Sequence, residues 1–239
     1  MNNFKFIIAC FFFIFMITFI IIYMKTDVKY KNFELIPNES EITFNPRNRK
    51  SYEKYVNILN KWISDYKDYT PRDNRIHCDN ERNPKNDEVC ITSKTWFDDC
   101  KANDWGFSLS KPCLLMTYRN DPSFNPQPFT NQNELLTIAQ IPESFKTIIR
   151  EEISDRENGF DEKLIRVFCN DTNYESYYPY QGFKTYYFPN KNHLANYQPP
   201  LVGIAFDMTK RKELNVQCGI WAKSPSNVNK VSFKINTNL

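Results

Sequence analysis

Two histidines, one acidic doublet and seven cysteines are the residues of this 239-residue chain whose types suggest chemistry. His77 and His193 lie far apart. His77 abuts Cys78, yet no CxxC or HxxxH spacing accompanies it, so the donor set of a zinc site is missing. Asp98-Asp99 could be imagined as the metal-binding pair of a membrane-anchored glycosyltransferase. The doublet lacks the spaced DxD form and a surrounding nucleotide-binding pattern, and it reads instead as an acidic turn beside Cys100. No GxSxG, P-loop or GxGxxG occurs, and five glycines leave little from which to build a phosphate cradle. The chain is therefore expected to be no enzyme and to hold no cofactor or metal.

The cysteines read better as staples. Cys10 falls in an apolar run, while Cys78, Cys90, Cys100, Cys113, Cys169 and Cys218 all follow it. An even set in a proline-rich domain, with 14 prolines in the chain, points to disulfides made in the secretory pathway. Six cysteines allow 15 connectivities. Short spacings favour Cys78–Cys90 and Cys100–Cys113, which leaves Cys169 with Cys218. The sequons Asn38-Glu39-Ser40 and Asn170-Asp171-Thr172 mark Asn38 and Asn170 as glycosylation positions on the same side of the membrane.

That membrane is implied by Phe6 to Met24, a run without a charge, glycine or proline. At about 1.5 Å per residue it nearly spans a hydrocarbon core of roughly 30 Å. It exceeds the apolar stretch of a cleaved signal peptide, and no small-x-small site follows at Ile22-Tyr23-Met24-Lys25. The expected organisation is a cytoplasmic tail at 1–5, a signal anchor at 6–24, a polar and partly extended extracellular connector at 25–50, and a disulfide-bonded ectodomain at 51–239. Lys25, Lys29 and Lys31 against a single Lys5 would place the large part inside by the positive-inside rule. Six cysteines and two sequons outweigh them. With 31 basic against 28 acidic residues the chain also lacks the charge footprint of a nucleic-acid binder.

Within the ectodomain, Phe44-Asn45-Pro46 breaks the chain and Ser51 can cap a helix starting at Tyr52. Tyr52, Tyr55, Val56, Leu59, Trp62, Ile63 and Tyr66 recur at helical steps, opposite a wet face of Glu53, Lys54, Asn57, Asn60 and Lys61. Residues 70–87 read as loop, and β signals begin at Cys90. Strands are expected at 114–118, 164–169, 201–206, 214–222 and 231–235, with Cys218 on the buried face of an alternating run. Phe145, Ile148, Ile149 and Ile153 outline a short helix after Ile141-Pro142. Antiparallel strands with a helical excursion suggest a β-sandwich.

The densest aromatic segment runs from Tyr174 to Pro189 and contains Tyr177-Tyr178-Pro179-Tyr180-Gln181-Gly182. Tyrosine joins apolar area to a polar tip, which suits an interface. A rigid, proline-kinked strand pair packing inward fits equally well.

Four stretches together resemble the β subunits of sodium/potassium- and proton/potassium-transporting P-type ATPases. They are Glu41 to Pro46 followed by Lys50 to Val56, Trp105-Gly106-Phe107 through Lys111-Pro112-Cys113 to Phe124-Asn125-Pro126, Tyr177 to Gly182, and Tyr197 to Val202 with the Cys218 strand. They occur in the family's order behind the anchor. The resemblance implies a mainly β fold: a single N-terminal transmembrane helix followed by an immunoglobulin-like β-sandwich ectodomain, with short helical insertions and three sequential disulfides. It implies a single-pass type II glycoprotein of the plasma membrane, in the bilayer through residues 6–24. Its partner would be the catalytic α subunit of a P-type ATPase, whose folding, delivery and potassium transport it would assist. Tyr177, Tyr178, Pro179, Tyr180 and Gly182 become candidate partner-binding residues. The anchor departs from the family in lacking glycine. That departure motivates the competing reading, a pump-independent adhesion or recognition glycoprotein on the same fold.

Overall fold

The computed structural model describes residues 33–67, 73–79, 82–118, 125–131, 133–134, 143–154, 160–170, 175–188, 194–223 and 230–238. The expected anchor at 6–24, His193, Phe124 and the sequon residues Asp171 and Thr172 lie outside them. Among the described residues no helix is long and apolar enough to cross a membrane.

Eleven strands and three helices are described. In chain order they are β1 (Phe33–Ile36), β2 (Glu41–Phe44), α1 (Glu53–Asp65), β3 (Arg75–Ile76), β4 (Val89–Cys90), α2 (Asp98–Trp105), β5 (Cys113–Tyr118), α3 (Glu143–Ser154), β6 (Leu164–Cys169), β7 (Glu175–Tyr178), β8 (Gly182–Lys184), β9 (Leu201–Phe206), β10 (Glu213–Trp221) and β11 (Lys230–Thr237). One sheet has the order β1-β5-β9-β7 and a second the order β2-β11-β10-β6-β8, while β3 and β4 form a small parallel pair. Every ladder of the two large sheets is antiparallel except β2 beside β11.

The two large sheets share one core. Phe33 of β1 meets Phe183 of β8 edge-on at 6.3 Å, and Phe206 of β9 meets Phe233 of β11 at 5.7 Å. In β10 the alternation is strict from Glu213 to Cys218, with Leu214, Val216 and Cys218 buried between exposed Glu213, Asn215 and Gln217. It then stops, because Gly219, Ile220 and Trp221 are all buried. The cause is α3, which lays Phe145 against Phe168 at 4.5 Å and Trp221 at 6.0 Å. Phe129, Phe145, Ile149, Phe168 and Trp221 form a separate apolar cluster there. One half of the outer face of this sheet is thus dry and the other half bare and polar.

Several sequence expectations change. The sheets begin inside the segment read as a connector, since β1 pairs with β5 and β2 with β11. Ser51 does not cap α1, whose first turn has no side-chain cap. Its hydroxyl instead donates to the Asn48 carbonyl at 2.7 Å and accepts from the Asn45 amide at 2.8 Å, stapling the Asn45-Pro46 turn. The stretch after Cys90 is helical before it becomes β, with 3-10 turns at Lys94–Phe97 and Phe107–Leu109 around α2. Asp98-Asp99 opens α2, where two carboxylates suit the positive end of the helix dipole. α2 is broken at Ala102, after which Asn103, Asp104 and Trp105 are left-handed at φ 54°, 55° and 58°. The aromatic stripe of α1 is as expected: Tyr52, Tyr55, Val56, Leu59, Ile63 and Tyr66 are buried and Trp62 is partly so.

Candidate functional site

Glu175 to Lys184 does not form a hairpin. β7 pairs with β9 of the four-stranded sheet, from Glu175↔Phe206 to Tyr178↔Gly203. β8 pairs with β6 of the five-stranded sheet, through Leu164↔Lys184, Ile165↔Phe183 and Arg166↔Gly182. The segment is therefore a crossing between sheets and not the strand pair that is one of the two readings of its sequence. Proline cannot donate to a ladder, so Pro179 ends β7; the Tyr178–Pro179 peptide is cis. The turn closes with the Gly182 amide donating to the Tyr180 carbonyl at 2.8 Å. Gly182 holds φ 151°, and a Cβ there would sit 2.2 Å from the Ile165 carbonyl oxygen. Only glycine lets β8 approach β6 so closely.

This crossing sorts its aromatics. Tyr186 and Tyr187 are buried. Tyr187 donates its hydroxyl to the Ile91 carbonyl at 3.0 Å and accepts from Thr92 at 3.1 Å. Burial pushes both phenols well above their usual range, so they stay neutral under physiological conditions. Tyr177, Tyr178 and Pro179 are half-buried, and Tyr180 is 40% exposed. Its ring meets Trp96 at 6.4 Å in an edge-on contact, and the Lys184 ammonium lies 4.6 Å from the ring centre. Lys184 is itself buried and paired with Asp161. Beside it, buried Arg166 bonds Glu152 of α3 at 2.9 Å and stacks its guanidinium 4.7 Å from the Phe160 ring. A large aromatic side chain is thus held outward on a braced base.

Two other motif stretches meet each other in space. Phe107 stacks on Tyr52 at 5.3 Å and on Tyr55 at 5.7 Å, and takes Phe44 edge-on at 5.1 Å. Trp105 donates its indole N–H to Asn60 at 2.8 Å. Gly106, at φ 71°, turns the chain so that the Lys111 amide reaches its carbonyl. The Gln198-Pro199-Pro200 stretch ties the end of α1 to the sheet: Tyr66 donates to the Pro199 carbonyl at 2.8 Å and Thr117 to that of Pro200 at 2.9 Å. The residues around Trp105 are packing devices, with no catalytic geometry among them.

Disulfides join Cys78 to Cys90, Cys100 to Cys113 and Cys169 to Cys218. The last links directly opposed residues of β6 and β10. His77 is exposed, and the described residues contain no group of three or more metal-ligating side chains. Asn38 and Asn170 are both exposed. Asn170, however, is engaged with β10, donating its side-chain amide to the Asn215 carbonyl and accepting from the Gln217 amide. Sequence reasoning missed Lys184, Asp161 and Trp96 around Tyr180, because their proximity depends on the crossing.

The family model for the sodium/potassium ATPase beta chain matches residues 4–236. Among curated relatives, sodium/potassium-transporting ATPase subunit beta-2 of Drosophila melanogaster is 30% identical over 191 residues, covering 73% of this chain and 57% of that one. Subunit beta-1 of the same organism is 25% identical over 195 residues, covering 77% and 59%. Subunit beta-233 of Anguilla anguilla is 26% identical over 216 residues, covering 79% and 66%. The chain spans less than two thirds of the length of each of these relatives.

Proposed function

We propose, from the premise that the chain belongs to the sodium/potassium ATPase beta chain family, that it serves as the non-catalytic β subunit of a sodium/potassium-transporting ATPase. In that role it assists folding and membrane delivery of a catalytic α subunit and modulates potassium transport. The observation that carries the reading is a family match running along the whole fold, from residue 4 to residue 236. The proposed setting is the plasma membrane, with a tail at 1–5, a type II anchor at 6–24 and the disulfide-bonded part outside as an immunoglobulin-like β-sandwich. Two sheets over a shared core and three disulfides support that fold.

The crossing at Tyr177 to Gly182 is proposed as a contact with the α subunit. Tyr177, Tyr178 and Pro179 form its half-buried base, Tyr180 its exposed tip, and Gly182 its fixed turn. A disulfide-pinned surface of this kind loses little ordering entropy on binding. Affinity purification of the tagged full chain from native membranes should recover a P-type ATPase α subunit. Its consistent absence, with the tagged chain itself intact at the surface, would favour the adhesion glycoprotein instead.

A further inference from the structure

Asn38 and Asn170, the acceptor residues of the two sequons, are both exposed, yet they differ in what their amide nitrogens are doing. Asn38 projects from the turn between β1 and β2, exposed, and its side chain makes no hydrogen bond among the described residues. Asn170 follows β6 and Cys169 immediately. Its backbone amide donates to the Gln217 carbonyl at 3.1 Å. Its side chain continues the ladder: Oδ1 accepts the Gln217 amide at 2.9 Å and Nδ2 donates to the Asn215 carbonyl at 3.3 Å. The orientation of the amide group is fixed by its partners, since a backbone N–H can only donate and a carbonyl can only accept. Asn170 thereby supplies with its side chain the peptide group that β6 would need for one more rung.

We propose that Asn38 is the sequon that carries carbohydrate in the folded protein, and that Asn170 is a clasp closing the end of the β6–β10 ladder. The proposal rests on the outward-facing orientation given above. In N-glycosylation the amide nitrogen attacks the anomeric carbon of a lipid-linked oligosaccharyl diphosphate. A nitrogen–carbon bond forms, the carbon–oxygen bond to the diphosphate breaks, and the amide proton leaves with the lipid diphosphate. The new carbon takes the position anti to Cβ, on the side of Oδ1, as in a trans peptide. In Asn170 that position holds the hydrogen given to Asn215, because one neighbouring strand supplies both partners of the amide. A carbon placed about 1.5 Å from Nδ2 in that direction would stand about 1.9 Å from the Asn215 oxygen, where roughly 3.3 Å is needed. Clasp and glycan are mutually exclusive uses of one nitrogen.

Thr172→Ala and Asn170→Ala separate the two uses, since both abolish the sequon but only the second removes the clasp. Full-length chains made in cells with an intact secretory pathway, and collected with Cys169–Cys218 closed, would be mapped for occupancy by enzymatic deglycosylation in heavy-oxygen water. Asn38 should be occupied and Asn170 bare, with Asn38→Gln abolishing the mobility shift. Hydrogen exchange at the Gln217 amide should be unchanged in Thr172→Ala and about tenfold faster in Asn170→Ala, as expected for two lost hydrogen bonds. Full occupancy of Asn170 in the closed wild type, or equal exchange in the two variants, would overturn the proposal. Glu88→Thr serves as a control, because it writes the same Asn-Asp-Thr triplet at exposed Asn86. If Asn86 gains a glycan the orientation stands and the Asn170 result decides. If Asn86 and Asn38 both stay bare, the outward orientation itself fails and takes the proposal with it.

Discussion

Two of the places where the chain passes between its large sheets, β1–β2 and β7–β8, do opposite things with the same device. Each is short, and each includes a cis X–Pro peptide, Ile36–Pro37 in one and Tyr178–Pro179 in the other. The first turns outward three exposed polar residues, Asn38, Glu39 and Ser40, and among the described residues no aromatic ring braces them. The second turns outward one large aromatic ring and braces it from below with Trp96 and Lys184. A turn left unbraced suits a bulky, mobile modification, while a braced aromatic suits a fixed partner. Topology alone distinguishes neither; the side chains packed beneath the turn do.

The sharpest way to break the comparison is at Gly182. Gly182→Ala puts a Cβ into the Ile165 carbonyl and should cost about 3 kcal/mol or more, read as a loss of thermal stability and of surface delivery. Glu39→Ala in the other crossing should change stability by no more than about 0.5 kcal/mol. Lys184→Met leaves Asp161 without its buried cation and should cost about 2 kcal/mol by the same measurement, below the full penalty of a buried pair because Asp161 is partly wet. Tyr180→Ala should cost about 1 kcal/mol in stability while lowering recovery of the α subunit about tenfold. If recovery is unchanged, the second crossing is only a turn. The smallest effect belongs to Asn38→Gln, which should remove a glycan and leave both thermal stability and α-subunit recovery unaltered.

What the sequence revealed follows from what periodicity can encode. The stripe of α1, the strands β6 and β9 and the helix over Phe145 and Ile149 are local patterns, and each lies where its spacing puts it. β1 is four residues long and borders a polar stretch, so its burial between neighbours has no local signature. α2 is short, acidic at its start and broken at Ala102, which leaves no amphipathic repeat to detect. β7 and β8 look like a hairpin because they are close in sequence, and only the positions of Pro179 and Gly182 hint that they separate. The brace under Tyr180 and the clasp at Asn170 were not legible. Both depend on residues such as Trp96 and Gln217, brought near by ladders formed far away in the chain.

The one parallel pairing in the large sheets sets the order of events during synthesis. Among the described residues β2 joins its sheet through β11, with Glu41 opposite Lys234, so a strand near the start of the described fold waits for the strand nearest its end. Until β11 has left the ribosome, Ile42 and Phe44 of β2 have no sheet to join, and the aromatic cluster around Phe107 is short of one wall. The five-stranded sheet therefore cannot take in β2 until its last strand has emerged, although every strand of the four-stranded sheet is out by Phe206. A nascent chain leaves these side chains uncovered from the emergence of β2 to that of β11, an interval in which helper proteins can meet it before it closes.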